Sequence, residues 1–133
     1  MREIKFRGKT DHHWVYGLLS HVFEYENTAH IIVNNETLPY SVYLGTLGQF
    51  TGQYDSKRTK EYPNGQEIWE GDRLRYNTGF GGEPKERDGV VVFKNGAFML
   101  DNASMQLSWY ISFGCEVIGN IHEEMREKEG EKE

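Results

Sequence analysis

Asn95-Gly96 stands between Val90-Val91-Val92-Phe93 and Ala97-Phe98-Met99-Leu100. Both turn residues accept positive φ at low cost, and β-branched and aromatic residues fill the flanks. That combination is the strongest local signal for a tight antiparallel hairpin, and much of the remaining chain repeats its logic. Ile4 and Phe6, then Trp14, Tyr16 and Leu18, fall at alternate positions, the period of a half-buried strand. Asp11-His12-His13 makes the turn between them. Ile31-Ile32-Val33 is a short apolar run closed by the turn pair Asn34-Asn35. Residues 115–121 supply a last strand. Only Ser41 to Phe50 offers a helical turn, and Gly45 and Gly48 weaken it.

Composition points the same way. Fifteen glycines, three alanines and 14% aromatic residues suit strands and turns better than a helical bundle. The expected class is therefore all-β, with short antiparallel strands forming small barrel-like halves, the C-terminal half SH3-like, and at most one or two short helical turns. The expected domain is single, residues 1–121, with halves at about 1–52 and 66–121 joined by a polar loop, 53–65. Residues 122–133 (HEEMREKEGEKE) hold six acids and three bases with one apolar side chain. They cannot bury a face, so a frayed or disordered tail is expected.

Several classes lose ground at once. The net charge of −6 disfavours a dedicated nucleic-acid binder. No apolar run approaches the roughly 18 residues that cross a bilayer, so no membrane role and a cytoplasmic site of action are expected. Cys115 is the single cysteine, which excludes an internal disulfide framework and a multi-cysteine zinc site. The histidines (His12, His13, His21, His30 and His122) follow no recognised ligand spacing, so neither a metal nor a cofactor is expected.

The remaining motifs read first as architecture. In Ile68-Trp69-Glu70-Gly71-Asp72-Arg73-Leu74 apolar residues enter and leave a Gly71-Asp72 turn, where Asp72 can bond neighbouring amides. Glu70 and Asp72 could also form a carboxylate pair, but no nucleophile or histidine accompanies them. Gly52, Asn64, Gly65, Asn95, Gly96, Gly119 and Asn120 read as further turn residues. Residues 79–82 (GFGG) lack the context of a phosphate-binding loop. Recognition on a rigid β scaffold usually falls to loops. The candidates are therefore Tyr54, Lys57, Arg58, Lys60 and Tyr62 on residues 53–66, and Phe80, Lys85 and Arg87 on residues 78–88. Basic and aromatic side chains together could also stack on and neutralise single-stranded nucleic acid.

Six segments, taken in order, resemble one family: REIKFR (2–7), WVYG (14–17), GQFTG (48–52), NGQEIWEGD (64–72), GVVVFKNGAF (89–98) and EVIGNI (116–121). The ordered set is similar to the YopX family of phage and prophage proteins and spans nearly the whole chain. Residues 53–63 lengthen the family's usual short link between Thr-Gly and Asn-Gly, residues 8–11 replace its usual Trp and Asp, and the charged tail replaces its usual Asn-Pro. The resemblance implies a β-rich fold and a source in a phage or prophage genome. The family is uncharacterised, so no catalytic residue carries over from it. The leading expectation is a non-enzymatic module for a host or phage protein, with self-association through sheet edges. A nucleic-acid-associated small β-barrel is the alternative, and a small-molecule or nucleotide enzyme the third.

Overall fold

A computed structural model describes residues 3–78 and 85–123. The chain is mostly β, with two compact units, Met1–Gly52 and Gln53–Glu133. No helix among the described residues is long and apolar enough to cross a membrane.

The first unit is an antiparallel meander. Strands β1 (Phe6–Lys9), β2 (Trp14–Phe23), β3 (Thr28–Ile32) and β4 (Tyr40–Tyr43) lie side by side, and β5 (Gly48–Tyr54) returns against the other edge of β1. A 3-10 turn, Leu44–Thr46, joins β4 to β5. Alternation decides the faces: Val15, Ala29, Ile31 and Val42 are buried on one side, with Phe6, Leu19, Tyr40 and Leu47 packed around them. Gly17 lies where strands crowd, since a Cβ there would meet the Ile32 carbonyl oxygen. Leu19 pairs with Ile31 and His21 with His30, so Ser20 is an extra residue, a β-bulge in β2.

In the second unit β6 (Glu67–Trp69) follows the end of β5, and Asp55 N–H donates to the Gln66 carbonyl at 2.9 Å. Strands β7 (Asp72–Asn77), β8 (Glu86–Lys94) and β9 (Ala97–Leu100) form a further meander. Helix α1 (Leu107–Phe113) follows, and β10 (Cys115–Asn120) pairs with β7, giving the order β10-β7-β8-β9. The hairpin between β8 and β9 turns on Asn95 and Gly96, with φ of 53° and 80°. Gly71, with φ of 92°, turns β6 into β7, and the Asp72 carboxylate accepts the Trp69 N–H at 2.7 Å. Ile68, Leu74, Tyr76, Val91, Leu100, Leu107 and Tyr110 make the core. Each such side chain contributes about 1.5–3 kcal/mol by leaving water.

The strands form open sheets, not a closed barrel, among the described residues. The reason lies in the segment between β9 and β10. There α1 packs against β7, β9 and β10, and the two outer strands of the sheet are not bonded to each other.

Candidate functional site

Residues 53–66 are less free than their polarity suggests. Asp55 is 2% exposed. Its Oδ1 accepts the Gln66 N–H at 2.8 Å and its Oδ2 the Val117 N–H at 2.9 Å. Its carbonyl accepts from Arg58 Nη1 at 2.8 Å. Ser56 repeats the pattern one residue on: its N–H donates to the Cys115 carbonyl, its Oγ donates to the Ile111 carbonyl at 2.7 Å, and Oγ accepts the Cys115 N–H at 3.1 Å. One carboxylate and one hydroxyl therefore clip the loop to the start of β10 and the end of α1.

The candidate residues scatter around that clip. Lys57 reaches Glu116 at 3.2 Å, and Arg58 points back to its own loop. Lys60 and Tyr62 are exposed beyond it, and the Tyr62 phenol is held above its usual value by the Glu61 charge. Tyr54 ends β5 and is 43% exposed. The Lys85 carbonyl accepts the Thr78 N–H at 2.9 Å, and Arg87 lies on β8 opposite Tyr76. Phe80 and residues 124–133 lie outside the described residues. Asn64 and Gly65 form the expected turn. Gly52 and Gly119 fall inside β5 and β10, the latter just after a bulge. The Asn120 Oδ1 accepts the N–H groups of His122 and Glu123, both at 3.0 Å.

Across the solvent face of the second sheet runs a row of alternating charge. Glu116, Arg75 and Asp88 are register partners on β10, β7 and β8. Arg75 Nε meets Asp88 at 3.2 Å, which holds the guanidinium above its ordinary value. The row ends in Lys57 and is balanced, so it attracts neither sign strongly, and such exposed pairs contribute at most about 1 kcal/mol each. A cleft of about 220 Å³ lies beside it, lined by Lys57, Arg75, Asn77, Glu86 and Cys115 among others. That is below the roughly 300–1,000 Å³ of ordinary small-molecule sites. Burial pushes the Cys115 thiol up to about 11, which keeps it protonated at neutral pH. No group of three His, Cys, Asp or Glu among the described residues is placed to hold a metal ion.

A further apolar feature, which the sequence reading of the loops did not anticipate, belongs to α1 and the residues just before it. Leu107 and Tyr110 bury one face of this helix, and the Tyr110 ring meets Tyr76 edge-on at 4.8 Å. The opposite face presents Trp109 and Phe113, 40% and 46% exposed, with ring centres 5.0 Å apart. Met105, just upstream, is 43% exposed and shares with Trp109 a groove of about 540 Å³ bordered by Ser104, Ser108 and Ser112. Trp, Phe and Met are enriched where proteins bind proteins, and Trp is prominent among residues that dominate binding energy. The sequence held one signal for this ridge: Met105, Trp109 and Phe113 recur every four residues.

A family model described as YopX protein matches residues 5–126, nearly the whole chain. No curated protein and no solved structure matches it.

Proposed function

The chain belongs to the YopX family, and we propose that it is a non-enzymatic binding module for a protein of a phage or of its bacterial host, working in the host cytoplasm. The observation that carries this reading is the ridge of Met105, Trp109 and Phe113. Trp109 and Phe113 on a short helix, with Met105 just before it, are 40%, 46% and 43% exposed, while the other face of the helix is anchored in the core. Holding them there gives up burial they would gain inside, which is how a surface kept for a partner looks. Ser104, Ser108 and Ser112 give the groove a polar border able to hydrogen-bond at the rim. The nucleic-acid reading draws less support. Of its basic residues, Lys57 is engaged with Glu116 and Arg58 with the Asp55 carbonyl.

The test is capture from a host lysate, with and without nuclease, by the wild-type chain and by the double variant Trp109→Ser, Phe113→Ser. A stoichiometric protein that survives nuclease and is lost with the variant supports the reading. Capture that disappears on nuclease treatment transfers the weight to nucleic acid.

A further inference from the structure

The bulge in β2 has a chemical consequence on the solvent face of the first sheet. Strand alternation from Leu18 would send Ser20 to the same face as Leu18 and turn His21 towards the core side. The extra residue at Ser20 reverses this. It brings His21 into register with His30 across the β2–β3 pair, their ring centres 6.4 Å apart. Phe23 braces both rings, stacked on His21 at 5.8 Å and edge-on to His30 at 4.7 Å. The Ser20 hydroxyl lies 2.6 Å from His21 Nδ1, fixing that ring's orientation and leaving Nε2 for another partner. Bulges commonly re-aim a side chain at functional positions. Here the bulged residue also supplies the group that orients the ring it re-aims.

We infer that His21 and His30 form a two-histidine clasp for a divalent first-row metal ion, with Ser20 as the positioning residue. Neutral imidazole is the common ligand for zinc and its neighbours. A Zn–N distance of about 2.1 Å places two coordinating rings with centres about 5–6 Å apart, close to the 6.4 Å between His21 and His30. The hydroxyl beside Nδ1 has the place of the outer-shell partner that metal-bound histidines regularly have. Two protein ligands leave the other positions to water, or to a carboxylate or imidazole brought by whatever docks on this face. His12 and His13 lie apart, in the β1–β2 turn. Linear spacing hides the site, because the pairing arises from strand register.

The experiment titrates the full-length chain with zinc alone. Binding is followed by calorimetry and by nitrogen NMR of the histidine rings. One ion per chain is expected, with Nε2 of His21 and His30 shifting together and His12, His13 and His122 unmoved. His30→Gln and His21→Gln each abolish saturable binding, while Ser20→Ala weakens it about tenfold. His21 is exposed and Ser20 and His30 are half-buried outside the core cluster, so the variants keep the wild-type circular dichroism. Should a variant lose its fold, the wild-type ring spectrum decides. The inference is overturned by zinc shifts spread over all the histidines, by no saturable binding, or by an unchanged isotherm in His30→Gln.

Discussion

Replacing Asp55 by alanine removes one carboxylate and strips two backbone donors of their acceptor. Gln66 N–H and Val117 N–H both end on that side chain, at 2.8 and 2.9 Å, and Asp55 itself is 2% exposed. A hydrogen bond to a charged group contributes about 1.5–3 kcal/mol, and a buried donor left without a partner costs a comparable amount. Water recovers part of the loss at the loop, so the substitution is expected to cost about 3–5 kcal/mol. Asp55→Asn keeps one acceptor but turns an amide N–H₂ towards the other donor, for an expected cost of about 1–3 kcal/mol. Urea unfolding followed by tryptophan fluorescence measures both. Amide exchange at Gln66 and Val117 locates the effect, since the account requires these two protons to lose protection first. A cost for Asp55→Ala below about 1 kcal/mol, with the Val117 amide still protected, would refute the clip.

Three further outcomes are expected. Cys115 makes stability fall with alkaline pH: the folded thiol titrates at about 11 against 9.0 for a free one, so its contribution is intact below pH 9 and is lost between 9 and 11. Two units correspond to about 2–3 kcal/mol, and an equally steep decline in Cys115→Ala would contradict this assignment. Tyr76→Phe removes the 2.8 Å bond to Asn102 Oδ1 and should cost about 1 kcal/mol in urea unfolding, with no cost arguing against a working bond. Self-association through exposed edge strands such as β4 predicts a dimer mass in light scattering at high concentration. Monomer mass throughout would remove that expectation.

The parts of this fold that the sequence makes legible are those written locally. Asn95-Gly96 specifies a turn because two adjacent residues supply both positive φ angles. Gly71-Asp72 works the same way, with glycine turning the chain and aspartate accepting an amide three residues back. Helix α1 is less legible. Leu-Ser-Trp-Tyr-Ile-Ser-Phe has modest helix propensity, and Gln106 makes no side-chain cap, so burial of Leu107 and Tyr110 holds the helix where propensity does not. Non-local contacts are hidden altogether. Asp55 reaches Val117 across 62 residues, which turns an apparently mobile polar loop into a fastened one. The histidine pair is hidden for a related reason: one inserted residue in β2 decides which face His21 takes.

Contact through α1 is tested most directly by a photo-reactive phenylalanine analogue at position 113, irradiated in nuclease-treated host lysate. The same analogue at Lys94, beside the β8–β9 hairpin turn, serves as control. The account predicts one discrete protein adduct from position 113, absent from position 94 and suppressed by Trp109→Ser. No adduct, or the same adducts from both positions, would contradict it.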